Sequence, residues 1–149
     1  MGGPQTGGPS AGSAVADTLA VQATLARYCH RCDDGDLTGL LALFTPDAVF
    51  TFGRLVARGT EELRTFFQRT QGRSELRGKH LTFNLDVSPA GDTARCVSDF
   101  VFLRPGAAGP VLDLAGRYHD ELRRVDGHWR IARRDALTLD PPGTAASPA

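Results

Sequence analysis

No run in these 149 residues approaches the ~18 apolar positions that a membrane-spanning helix needs. Nor is there an excess of either charge, with 17 Lys+Arg against 17 Asp+Glu. A chain that holds nucleic acid usually concentrates basic side chains on one face. The arginines between Arg117 and Arg134 instead alternate with Asp120, Glu121 and Asp126, the pattern of a charged strand ladder. Nucleic acid and membrane are therefore not expected partners. Cysteine is scarce and odd in number (Cys29, Cys32 and Cys96), which argues against a disulfide framework and fits a reducing compartment. Cys29-His30-Arg31-Cys32 has the outline of a metal or redox motif, but no second ligand pair follows it and it lies within a helical pattern. It reads as two small apolar helix residues. The opening MGGPQTGGPSAGSA has neither a basic segment nor an apolar one, so it reads as a flexible tail and not a signal peptide, and DPPGTAASPA reads as a second tail. The expectation is a cytoplasmic protein with tails at 1–14 and 140–149 and one domain over 15–139.

What is present is periodicity of two kinds. From Ala14 to Asp33 apolar residues recur every three or four positions at Val21, Leu25, Tyr28, Cys29 and Cys32, the stripe of an amphipathic helix. Asp36 is placed to cap a short second helix over Leu37–Phe44, a strand follows over Ala48–Phe52 with a return through Leu55–Ala57, and Thr60 is placed to cap a third helix ending near Gln71. Beyond Lys79 the period changes to two, predicting strands over His80–Ser88, Thr93–Leu103, Val111–Val125 and His128–Leu139, with hairpin turns at Gly91-Asp92 and Asp126-Gly127. Helices first and a meander last predict an α+β domain. A curved antiparallel sheet that buries one face against the helices leaves a cone with a mouth, where small ligands bind.

Asp33 continues the apolar stripe, four residues after Cys29. A carboxylate turned toward a core must be paired or protonated, or it costs roughly several kcal/mol. Either Asp33 is such a group, or the helix frays at Cys32 and Asp33 begins a polar turn.

In order and spacing, Tyr28 to Asp36, Leu43-Phe44-Thr45-Pro46-Asp47-Ala48, Lys79-His80 with Asn84, Gly91-Asp92-Thr93-Ala94, Gly116 to Asp120 and Gly127 to Ile131 together resemble the SnoaL-like branch of the NTF2-like superfamily. The resemblance spans about Val15 to Leu139. It implies a cone-shaped α+β barrel, a deep apolar pocket, a homodimer formed through the sheet, and neither metal nor organic cofactor. Relatives include polyketide cyclases, ketosteroid isomerase, scytalone and bile-acid dehydratases and limonene epoxide hydrolase, besides binding and assembly subunits that catalyse nothing.

Carried over by position, Asp33 and His80 fall where the dehydratases keep a hydrogen-bonded Asp and His. An Asp that accepts from one imidazole nitrogen fixes the tautomer and makes the other nitrogen the base. Simple alternation opposes this, because it groups His80 with Thr82, Asn84 and Asp86 against Leu81, Phe83, Leu85 and Val87. Either the apolar face is covered by a second copy, or a bulge turns the strand, or His80 is a surface residue. Tyr28 matches the tyrosine that donates to an oxyanion in ketosteroid isomerase, the alternative being a core tyrosine. Asp120 matches that enzyme's second donor, or else it pairs with Arg133, whose strand face carries Trp129 and Ile131. The isomerase's base would fall near Thr51-Phe52 and the dehydratases' second acid/base near Phe102-Leu103, where no carboxylate stands. Asp99 is the nearest titratable substitute; an Asp-Arg-Asp trio as in limonene epoxide hydrolase is not evident in the sequence, and only folding can assemble one from Asp33, Asp99 and an arginine. The expected function is a dehydratase, isomerase or cyclase acting on an apolar polyketide- or steroid-like carbonyl compound; the alternatives are a ligand-binding or assembly protein and an epoxide hydrolase.

Overall fold

The computed structural model describes residues 11–139. The expected tails at 1–10 and 140–149 lie outside the described residues, whereas 11–14, assigned by sequence to the first tail, start a helix. This helix, α1 (Ala11–Asp34), buries Val21, Leu25, Tyr28, Cys29 and Cys32 as one stripe. It does not fray at Cys32: Gly35 takes φ +69° and the Asp36 N–H donates to the Arg31 carbonyl at 3.0 Å, closing the helix with a left-handed cap one residue beyond Asp34. Asp36 then caps α2 (Leu37–Leu41), its Oδ1 accepting from the Gly39 N–H at 2.8 Å.

α2 stops short of Phe44 because Phe44 already belongs to β1 (Phe44–Phe52), where it pairs with Ile131. β1 returns through Gly53 as β2 (Leu55–Arg58). Next comes α3 (Gly59–Thr70), which buries Leu63 and Phe67. Thr60 is not its cap. Gly59 turns the chain at φ +72° and starts the helix itself, placing Arg58 at the N-cap position, whose N–H donates to the Glu62 carboxylate at 2.8 Å.

The long strands are β3 (Lys79–Ala90), β4 (Thr93–Arg104), β5 (Val111–Val125) and β6 (His128–Thr138). With β1 and β2 they form one six-stranded sheet in the order β2-β1-β6-β5-β4-β3. The expected antiparallel meander holds for β3 to β6, but β1 runs parallel to β6, so the sheet is mixed. Alternation along a strand reports its faces and carries nothing about the direction of its neighbour.

Four register shifts bend the sheet: in β1 between Phe44 and Val49, in β3 after Phe83, in β5 at Asp113 and in β6 at Ala132. Each bulge adds local twist and moves the following side chains to the opposite face. The sheet curls around α1 and α3, and the core joins the α1 stripe to Leu63, Phe67, Leu122, Trp129 and Ile131. Each such side chain contributes roughly 1.5–3 kcal/mol on burial. No helix among the described residues is long and apolar enough to cross a membrane.

Candidate active site

Asp33 sits in the last turn of α1, and its side chain is 3% exposed. The bulge in β3 decides what it meets. Phe83 pairs with Asp99 but Asp86 pairs with Val97, and Asn84 absorbs the extra residue at φ +53°. Before the bulge, His80 and Thr82 face inward while Leu81 and Phe83 face out; after it, Leu85 and Val87 face the core. His80 is therefore not a surface residue, and the bulge lets both His80 and Leu85 face inward while Leu81 and Phe83 stay on the outer face.

His80 and Asp33 meet. Asp33 Oδ1 lies 2.7 Å from His80 Nδ1 and accepts the His80 backbone N–H at 3.0 Å. An ionised Asp33 therefore receives Nδ1–H, leaving Nε2 as the accepting nitrogen. The paired backbone and ring contacts fix both the position and the tilt of the imidazole. Charge-assisted bonds of this kind contribute roughly 1.5–3 kcal/mol each. Lys79 Nζ stands 3.6 Å from Asp33 Oδ2 on the solvent side. Phe102 packs against the His80 ring at 4.6 Å.

His80 lines a cavity of about 380 Å³ between the helices and the concave face of the sheet. Its walls are mostly aromatic, with Phe50, Phe66 and Phe67, Phe100 and Phe102, and Tyr28 and Tyr118, and Thr70 and Gln71 add polar groups to the lining. Arg104 and Asp113 stand at its rim. Tyr28 is buried, and that burial foremost raises its phenol well above the usual range, with Cys32 adding to it and Arg134 opposing. It stays protonated and can donate.

Asp120 is also buried, but its partner is Arg134 and not Arg133. Arg134 Nε and Nη2 donate to the two Asp120 oxygens at 2.7 and 2.8 Å. The extra residue Ala132 reverses the parity of β6, so Trp129, Ile131, Arg134 and Ala136 face the core, while Arg133 turns to Asp135 on the other side. With a guanidinium on both oxygens, Asp120 is a counter-ion and not the protonated oxyanion donor that the resemblance suggested. Burial works against the charge of Arg134, but Asp120 outweighs it and the pKa rises, so the side chain is a permanent cation. Its guanidinium lies between the rings of Tyr28 at 4.1 Å and Tyr118 at 4.0 Å, and its Nη1 has no hydrogen-bond partner. Sequence reasoning missed both Arg134 and Tyr118; the signal for Tyr118 was its place in the inward series Leu114, Tyr118, Leu122.

Asp99 is not in the cavity. It projects from the opposite face of β4, where Arg117 at 2.7 Å and Asn84 at 2.9 Å hold its carboxyl below the ordinary range. The trio of Asp33, Asp99 and an arginine is therefore not assembled. Cys29 and Cys32 are buried free thiols, as the helix pattern implied, and Cys29 Sγ meets Thr82 Oγ1 at 3.1 Å. Among the described residues no group of three or more His, Cys, Asp or Glu is placed to hold a metal ion.

No protein of curated function matches the sequence. Among solved structures, the chain is similar to Rv3472 of Mycobacterium tuberculosis, whose function is unknown, with 34% identity over 86% of this chain and 75% of that one and a TM-score of 0.80. It is also similar to a protein of Novosphingobium aromaticivorans assigned as an aromatic ring hydroxylase, with 30% identity over 85% and 92% of the two chains and a TM-score of 0.75. A protein of the same organism assigned as a scytalone dehydratase shares the fold at 20% identity, over 85% and 86%, with a TM-score of 0.75. The model of the SnoaL-like domain matches residues 13–135. With that match across most of the chain, and with the curled sheet and helix-borne acid just described, the protein belongs to the SnoaL-like family.

Proposed function

We propose that the protein is a lyase or isomerase that removes an acidic proton next to a carbonyl group, with His80 Nε2 as the base, Asp33 as its orienting partner and Tyr28 as donor to the oxygen on which charge develops. The observation that carries this reading is the 2.7 Å contact between Asp33 Oδ1 and His80 Nδ1 at the wall of an unfilled aromatic cavity. A purely structural histidine would not need a hollow beside it. A general base positioned this way supplies roughly 10²–10⁴ in rate. The buried Arg134 cation beneath the Tyr28 ring makes the phenol a stronger donor. Aromatic walls suit a flat, apolar carbonyl compound of the polyketide or steroid type.

The test needs no natural substrate. Incubated with α-tetralone in deuterium oxide, the wild-type protein exchanges the α-protons, read by NMR, and His80→Ala does not. Equal exchange by both proteins at equal folded concentration removes His80 from the chemistry and leaves the binding-protein reading. As a second expectation, a copy of the same chain covers the outer sheet face, where Leu81, Phe83 and Leu137 are 44%, 42% and 53% exposed. Sedimentation equilibrium showing only monomer at micromolar concentration refutes that.

A further inference from the structure

We infer that Arg104 recognises an acidic group on the ligand, so that the cavity takes a flat apolar ring body bearing a carboxylate at the rim; this deepens the proposed function and rests on the aromatic cavity being the substrate site. Arg104 follows Phe100 and Phe102 at alternate positions of β4, which puts it on the concave face, two residues along the strand from the ring that packs on His80. An arginine in line with two phenylalanines interrupts an otherwise apolar wall.

Its partner stands on an irregularity. Phe102 pairs with Leu114 and Leu103 with Leu112, so Asp113 is the extra residue of a bulge, and its Oδ1 accepts from Arg104 Nη2 at 2.8 Å. Bulges beside ligand sites commonly re-aim one side chain. Asp113 occupies one nitrogen of the guanidinium; Nε and Nη1 have no hydrogen-bond partner among the described residues. The Arg104 side chain is 48% exposed, so these donors are open to an arriving group. A guanidinium held in place by one carboxylate is organised to bind a second on its remaining donors. Arg104 also borders a second hollow of about 460 Å³ together with Arg77 and Lys79, and the acid there, Asp33, is already committed to His80. Around this second hollow Arg77, Lys79 and Arg104 thus stand against two carboxylates, Asp33 and the Asp113 bonded to Arg104, a small local excess of positive charge in a chain of zero net charge.

Two probes with one ring system decide the matter by calorimetry: β-naphthoate and the neutral β-naphthalenemethanol. The wild-type protein is expected to bind the naphthoate at least tenfold more tightly than the alcohol. Arg104→Met abolishes that preference, with the alcohol's Kd reporting that the pocket is intact, and Asp113→Asn, which removes the competing charge, widens it. Equal Kd values in the wild type, a preference that survives Arg104→Met, or absence of naphthoate binding each overturn the inference. His80→Ala keeps the preference while losing proton exchange, so failure of the base and failure of the carboxylate site are separately visible.

Discussion

Replacing Asp120 by Asn leaves the Arg134 cation fully buried with half of its hydrogen bonding and none of its counter-charge. Both side chains are 0% exposed and meet through two bonds of 2.7 and 2.8 Å. Two unit charges about 4 Å apart attract by about 4 kcal/mol at an effective dielectric near 20. The two tyrosine faces already contribute in the wild type, so they cannot compensate for the loss. Breaking a buried pair on one side costs about 3–5 kcal/mol, whereas replacing both partners by apolar groups of similar volume is often neutral. The expectation is that Asp120→Asn loses about 3–5 kcal/mol in urea unfolding followed through the single tryptophan, Trp129, which is buried and so reports core exposure. In a chain of this size that corresponds to a Tm lower by about 6–20 °C. The double variant Asp120→Leu, Arg134→Met recovers most of the loss, since methionine fills the slot between the rings. A loss under about 1 kcal/mol in Asp120→Asn, or a double variant less stable than the single one, refutes the assignment of the pair as a buried charge system.

Asp33→Asn keeps the shape of the dyad but removes the charge that fixes the imidazole tautomer, so α-proton exchange falls by about 10²–10⁴ with a stability change under about 3 kcal/mol; undiminished exchange would exclude Asp33 from the site. Asp99→Asn, on the far face of β4, leaves exchange unchanged, and a loss beyond about threefold would contradict the placement of that carboxylate outside the cavity. Burial raises the thiols of Cys29, Cys32 and Cys96, the last to about 12, so their thiolates are scarcer at pH 8 than those of free cysteines and the native chain resists iodoacetamide at that pH while the urea-unfolded chain is alkylated at all three. Because the folded-state values lie above the unfolded ones, this contribution to stability is complete below about pH 8.5 and declines as pH rises toward 12; rapid native labelling, or stability that increases across that window, would count against it. Gly116→Ala places a Cβ against the Leu137 carbonyl and the Phe100 ring, which stacks on Tyr118 at 4.2 Å, and costs about 1–3 kcal/mol; a neutral result would mean that β5 has more room than the structure shows.

The residues whose meaning depends only on near neighbours were legible in advance. The stripe from Val21 to Cys32 specifies which face of α1 is buried, and because helical period is regular it carries Asp33 toward the core with it. Asp36 declared its capping role by standing next to an apolar run, and Asp126-Gly127 its hairpin. The candidate dyad follows from the resemblance and runs against the alternation of β3, which by itself groups His80 with the polar residues of that strand. For Asp120 the sequence leaves two readings, oxyanion donor or partner of Arg133, and alternation cannot point to Arg134 because the extra residue Ala132 lies between the apolar positions of β6 and that arginine.

The sequence alone determined the α+β order of elements, the buried face of the first helix and the residue types available for acid–base work, because these follow from local periodicity and turn chemistry. Tertiary structure decided where the strands shift register and that β1 lies parallel to β6. A single inserted residue at Asn84, Asp113 or Ala132 leaves the local pattern almost unchanged, yet it moves every following side chain to the other face. Only the pairing of whole strands reveals such a shift, and that pairing turned His80 onto Asp33, put Arg134 rather than Arg133 beneath Tyr28, and set Asp113 against Arg104.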